Sequence, residues 1–289
     1  MRTLGLVVNK SKENAVNIAL LILDFCDRHG IRVYAEDWIA SALKRKEIGK
    51  PFEQIRKTAD LILVLGGDGT ILSTAKKMGG SVTPLLGINL GGLGFLTAVR
   101  YQDTGQALEI IRKGGITTER RMMLSAQIVR DGKRAESFDA VNDVVVTKGA
   151  LARMLNLEVL IDREYLTNYT SDGLIVATPT GSTAHSLSAG GPIVCPDMPA
   201  LLLTPICPHA LGNRPLVMSD TKSVKINIRS NYRNIFLSID GQVGAQLKYN
   251  DEVIVRTSKQ TLHLAMCRGT PYYHILREKL HWGGFSKVQ

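Results

Sequence analysis

The sequence predicts an α/β fold in two parts: an N-terminal three-layer α/β domain built on a parallel sheet, then a β-rich, β-sandwich-like domain. Three observations lead there. Strand-like apolar runs alternate with helical patterns up to Ile88, the rhythm of a parallel sheet covered by helices. From Met123 the pattern changes to short strands separated by turn residues. Between these, the apolar run Leu61–Leu65 leads straight into Gly66-Gly67-Asp68-Gly69-Thr70, a buried strand that ends in a glycine-rich turn.

In order, Thr3–Val8 reads as a strand, and Lys12–Arg28 as a helix with Val16, Ala19, Leu20 and Leu23 at helical spacing. His29-Gly30 closes that helix; Ile31–Ala35 is a second strand, and Pro51–Thr58 a short helix before Leu61. Ile71–Lys77 is helical and Pro84–Ile88 another buried strand. Later strands are expected at Met123–Val129, Ala140–Thr147, Asn156–Ile161, Leu174–Ala177, Ser223–Ile228, Ile235–Ile239, Glu252–Arg256 and Leu262–Ala265. Asp131-Gly132, Asp240-Gly241 and Asn250-Asp251 supply turns. The domains are expected to cover residues 1–100 and 101–267, with the segment 268–289, partly helical over Pro271–Leu280, rejoining the first.

Composition bounds the function. The 289 residues are 44% hydrophobic, with no apolar run long enough to span a membrane. Met1-Arg2-Thr3 leads into a strand rather than a signal peptide, so the expected location is cytoplasmic. Cys26, Cys195, Cys207 and Cys267 show no metal-ligand spacing and read as reduced thiols; no protein-held metal is expected. The net charge of +10 suits polyanionic ligands. Its basic residues, however, fall in short groups such as Lys44-Arg45-Lys46, Lys76-Lys77 and Arg120-Arg121, without aromatic interleaving, which argues against nucleic acid.

The turn at Gly66–Thr70 carries the chemistry. Glycines let backbone N–H groups approach an anion, and the following helix N-terminus favours a phosphate, so Gly66, Gly67, Gly69 and Thr70 are candidate phosphate-binding residues. Asp68 adds a carboxylate, which suggests phosphoryl transfer to a hydroxyl; an N-cap alone would also explain it. Walker A and dinucleotide fingerprints are both absent. A second cluster, residues 171–192, gathers Thr178, Thr180, Ser182 and Thr183 around Pro179 and Gly181. So many hydroxyls point to hydrogen bonding with ribose, amide and phosphate oxygens rather than to a packed core.

Together with Gly94-Phe95-Leu96, Asn142-Asp143 and Asp240-Gly241-Gln242, these motifs resemble the bacterial NAD kinases in order along essentially the whole chain. Gly-Gly-Asp-Gly-Thr alone is shared with 6-phosphofructokinases and diacylglycerol-type lipid kinases; the block from Asp172 to Pro192 is more specific. The resemblance implies that Asp68 is the general base on the 2′-hydroxyl of the adenosine ribose of NAD. Gly69 would touch the dinucleotide through its backbone and Phe95 would pack near the adenine. It further implies NAD contacts from Asn142, Asp143, Arg153, Asp172, Gln242 and the segment Thr183, Ala184, His185, Ser186, Leu187 and Ser188.

Three positions depart from the family pattern. Asp143 stands where Glu is usual, His185 where Tyr is usual, and Thr170 where a basic residue is frequent. The implied partners are NAD(H), with ATP or polyphosphate as donor, magnesium on the donor phosphates, and further copies of the chain in a dimer or tetramer. A membrane partner is not expected, because no basic amphipathic helix stands out for a lipid kinase. A non-catalytic dinucleotide sensor is the competing class, and Asp68 argues against it.

Overall fold

The computed structural model describes residues 1–12, 14–92, 94–149, 153–267 and 272–282. The chain order begins β1 (Thr3–Val8), α1 (Ala15–Arg28), β2 (Arg32–Ala35), α2 (Asp37–Ala42), α3 (Phe52–Thr58), β3 (Leu61–Gly66), α4 (Asp68–Met78), β4 (Leu85–Asn89), β5 (Thr97–Arg100) and α5 (Thr104–Arg112). It continues β6 (Ile116–Arg130), β7 (Lys133–Ala140), β8 (Asp143–Lys148), β9 (Leu155–Ile161), β10 (Glu164–Ser171), β11 (Gly173–Ala177) and α6 (His185–Ser188). Last come β12 (Ala200–Ile206), β13 (Leu216–Ser219), β14 (Ser223–Ile228), β15 (Ile235–Ile239), β16 (Gln242–Leu247), β17 (Glu252–Cys267) and α7 (Tyr272–Leu280).

Two compact units result: Met1–Arg120 with Leu262–Gln289, and Arg121–Thr261. The expected division at residue 100 lies ahead of α5, which packs on α1 in the first unit.

In the first unit β1 pairs in parallel with β2 and β3, β3 with β4, and β4 with β5, while Leu264 of β17 pairs with Leu85. Every residue of β1, β3 and β4 is buried, which explains their unbroken apolar runs: a sheet covered on both faces has no polar-out positions. Helices α1 and α5 pack together, as do α3 and α4. The register sets Val8 beside Leu65, so the segments after β1 and β3 emerge at the same edge of the sheet.

The second unit is a sandwich. One sheet runs β13-β12-β11-β8-β15-β16, antiparallel throughout. Facing it, β10, β9, β14 and β17 pair in that order and β6 forms a hairpin with β7. Alternate residues of both layers form one core: Leu157, Val159, Ile226 and Val255 meet Val144, Val146, Leu174 and Leu237. Val145, Ile175, Ala177 and Leu202 point the other way and are covered by Val194 and Ala200. This double burial makes Val144–Val146 a continuous apolar run, whereas β15 shows plain alternation. The buried Asp251 accepts both Nε (2.8 Å) and Nη2 (2.6 Å) of Arg130, a bidentate tie from β6 to the start of β17.

The strands β1, β14 and β15 match their expected bounds, and both Asp-Gly turns adopt positive φ at each residue, as two-residue hairpins require. Other elements differ. Glu252–Arg256 and Leu262–Ala265 belong to the single strand β17, whose polar middle hides its continuity. Ala140–Thr147 is broken at Val141-Asn142, where the chain turns from β7 into β8.

Leu63, fully buried at the centre of the parallel sheet, provides a test of this core. Leu63→Ala is expected to cost about 2–5 kcal/mol, read as a lower denaturant midpoint at unchanged slope.

Candidate active site

The first unit holds the Gly66–Thr70 turn. Strand β3 ends at Gly66 and α4 begins at Asp68, so the turn is Gly67 alone and Asp68, Gly69 and Thr70 form the first helical turn. The helix starts three residues earlier than its apolar pattern indicated. Its leading N–H groups have no intrahelical acceptors, a setting that favours an anion. Thr70 Oγ1 accepts Nδ2 of Asn9 (3.1 Å), linking this turn to the segment after β1.

Asp68 is half-buried and clasped by backbone. Its Oδ2 accepts the N–H of Phe95 at 2.9 Å and its Oδ1 that of Leu96 at 3.0 Å. Gly94 makes this possible, because a Cβ there would run into the carboxylate. The segment Gly94–Thr97 is braced by Asn89, whose Nδ2 donates to Thr97 Oγ1 (3.1 Å), and that same oxygen accepts the Gly94 N–H (3.0 Å). Each Asp68 oxygen accepts one backbone N–H, and a carboxylate oxygen has a further lone pair for a substrate hydroxyl. Phe95 is half-buried beside it.

The second unit gathers the Asn142-Asp143 turn and the hydroxyl-rich segment. Val141 O accepts Thr178 Oγ1 at 2.7 Å and Asn142 O accepts Thr178 N at 2.9 Å. Gly181 packs so closely that a Cβ would meet the Asn142 carbonyl. Asn142 Oδ1 and Thr180 Oγ1 are both buried without a hydrogen-bond partner, Thr180 being only 6% exposed. Orphaned buried acceptors and hydroxyls are rare, and each calls for a partner outside the chain or a structural reason. The sequence points to Thr180 only as one hydroxyl of a run, with nothing to single it out from Thr178 and Ser182.

The remaining hydroxyls divide. Ser182 Oγ donates to Pro179 O at 2.6 Å and accepts Val194 N at 3.1 Å, and Ser186 is paired with Thr204 at 2.9 Å, all buried. Thr178, Ser182 and Ser186 thus hold the turn together, a use for core hydroxyls that the sequence reading discounted. Thr183, Ala184 and Leu187 are partly exposed, and His185 and Ser188 exposed.

Asp172 pairs with Lys148 Nζ at 2.8 Å, so a cation stands beside it although position 170 is Thr. Lys148 had no sequence signal beyond its place at the end of β8. Thr170 is exposed on β10 and bonded to Asn156; Arg153 and Gln242, the first residue of β16, are also exposed. A cavity of about 390 Å³ in the first unit, lined by Leu23, Tyr34, Arg45 and Ile48 among others, contains none of these residues.

Burial, with the nearby Asp240 carboxylate second, pushes the carboxyl of Asp143 up to about 7; the residue is only 3% exposed. Among the described residues no group of three His, Cys, Asp or Glu is placed to hold a metal, and no helix is long and apolar enough to cross a membrane.

The parallel sheet of the first unit thus ends in an Asp-bearing turn, and the sandwich of the second carries buried polar atoms without partners. The family model for the ATP-NAD kinase N-terminal domain matches residues 4–116, and that for the ATP-NAD kinase C-terminal domain matches residues 141–266. The chain belongs to the NAD kinase family. It is 42% identical to the NAD kinase of Syntrophotalea carbinolica over 98% of this chain and 99% of that protein. Identity to the NAD kinase of Geobacter metallireducens is 46%, over 81% of this chain and 83% of that one. Among solved structures, yeast NADH kinase complexed with NADH is similar at a TM-score of 0.90 and 27% identity, covering 100% of this chain and 90% of the yeast chain.

Asp143 also links stability to pH. The folded state keeps its proton up to about pH 7, whereas the unfolded carboxyl releases it near 3.8, so stability is lost as pH rises through that window. Asp143→Asn is therefore expected to melt above the wild type at about pH 8, with the gap closing toward about pH 4. Scanning calorimetry at both values checks this; a pH-independent gap would contradict it.

Proposed function

We propose that the protein transfers the γ-phosphoryl group of ATP to the 2′-hydroxyl of the adenosine ribose of NAD, producing NADP and ADP. The observation that carries this reading is the Asp68 carboxylate, fixed by two backbone N–H groups at the first turn of α4. Asp68 takes the proton from the 2′-hydroxyl as that oxygen forms its bond to the γ-phosphorus, and the bond from phosphorus to the leaving ADP oxygen breaks. Gly66, Gly67, Gly69 and Thr70 receive the donor phosphates. Magnesium bound to the donor would supply charge neutralisation on its phosphates.

The second unit supplies dinucleotide contacts through Asn142, Asp143, Thr180, Asp172 and Gln242, with Thr183–Ser188, Arg153, Thr170 and Phe95 of the first unit as further candidates. ATP as donor is supported by the description of the matched family, and NADH as an alternative acceptor by the ligand of the yeast kinase. A cytoplasmic homo-oligomer, dimer or tetramer, belongs to the same reading.

The test is NADP formation from NAD, ATP and magnesium, read with an NADP-specific dehydrogenase. Asp68→Asn should lower kcat by about 10²–10⁴ in protein that still folds, with some loss of melting temperature because the amide keeps only one of the two oxygens that accept the Phe95 and Leu96 N–H groups. Unchanged turnover would remove Asp68 from the chemistry, and product with polyphosphate but not ATP would change the donor. Asp172→Ala should raise KM for NAD more than KM for ATP. Equal effects on both would place Asp172 outside the dinucleotide site.

A further inference from the structure

In the motif Asp240-Gly241-Gln242, the glutamine was expected to touch ligand and the aspartate had no role. Its geometry is unusual. Asp240 and Gly241, with φ of 49° and 77°, form the two-residue turn between β15 and β16. From that turn the Asp240 carboxylate reaches a segment nearly a hundred residues earlier in the chain. Oδ1 accepts the N–H groups of Asn142 (2.7 Å) and Asp143 (3.2 Å), and Oδ2 accepts that of Val141 (3.0 Å). The Asp240 N–H in turn donates to Asp143 O at 3.0 Å.

Three consecutive backbone donors thus converge on one carboxylate, while Thr178 donates to the carbonyls of Val141 and Asn142. The backbone of the Asn142-Asp143 turn is therefore held without its own side chains. This leaves Asn142 Oδ1 buried and unpartnered.

We propose that Asp240 is the positioning residue of the dinucleotide site, holding the Asn142-Asp143 turn so that both side chains are presented to the ligand. This rests on the reading that Asn142 and Asp143 contact NAD. An aspartate suits the position twice over: it tolerates the left-handed backbone, and it offers two acceptor oxygens where an amide offers one.

Asp240 also acts on Asp143 through its charge. Strands β11 (Gly-Leu-Ile-Val-Ala) and β15 (Ile-Phe-Leu-Ser-Ile), which flank Asp143, contain no ionisable residue, so Asp240 is the charged group facing it from the elements packed there. A neighbouring negative charge holds a carboxyl in its protonated form, and removing it lets the proton go at lower pH.

Two variants separate positioning from a purely structural turn. Asp240→Gly removes the carboxylate and keeps the positive φ; Asp240→Asn keeps one acceptor and removes the charge. NAD binding by calorimetry without donor, KM for NAD and for ATP, and the pH profile of kcat/KM for NAD are measured on the full chain. Asp240→Gly is expected to weaken NAD binding and raise its KM about tenfold, with KM for ATP changed less than about twofold. Asp240→Asn is expected to fall between this and wild type, and to move the inflection near pH 7 to lower pH. If both KM values rise together, if NAD affinity is unchanged, or if the inflection stays in place, the proposal is overturned. Should Asp240→Gly fail to fold, Asp240→Asn decides. A wild type that binds NAD but forms no NADP overturns the kinase reading, while the binding comparison still decides the role of Asp240.

Discussion

A carboxylate that accepts backbone N–H groups from a distant part of the chain is the interaction on which both halves of this molecule depend. Asp68 takes the N–H groups of Phe95 and Leu96, and Asp240 those of Val141, Asn142 and Asp143. The same device recurs at Asp60, which accepts the N–H groups of Arg2 and Thr3 where β1 begins. Segments just outside a sheet cannot satisfy their donors along a ladder, and an ionised acceptor roughly doubles the strength of each bond. The side chains carried by these segments are thereby aimed by non-local bonds, which local propensity does not encode.

The hydroxyl-rich run illustrates two uses of one composition. Thr178, Ser182 and Ser186 close hydrogen bonds inside the packed turn, and Thr180, buried among them, closes none. A buried hydroxyl with no partner carries a desolvation penalty that its neighbours avoid. That contrast, rather than the number of hydroxyls, separates the scaffold hydroxyls from the one left unpaired.

Much of the architecture was legible in the sequence because burial leaves a periodic trace. Two-sided burial produced the run Leu61–Leu65, one-sided burial the alternation of Ile235–Ile239, and positive φ the Asp-Gly turns. Legibility failed where the trace was broken or absent. The polar Thr257–Gln260 stretch disguised β17, exposure left Lys133–Ser137 of β7 without alternation, and α5 carried no turn signal to assign it to the first unit. At the site, glycine and aspartate at Gly66–Thr70 stood out by local chemistry. Lys148 and Asp240 did not, since their meaning comes from partners that only the folded sandwich brings near.

The first unit is assembled from two stretches of chain with the entire second unit lying between them in sequence. On the ribosome, residues 1–120 emerge first, but the strand end that places Leu264 beside Leu85 follows only after the whole sandwich has been synthesised. During that interval the Leu85 end of β4, beyond its pairing with β5 at Gly87–Asn89, has an open apolar edge, the kind of surface that recruits chaperones or other nascent chains. Translation order thus gives the sandwich the opportunity to fold as a continuous insert, and makes the C-terminal stretch the closing step for the domain that carries Asp68.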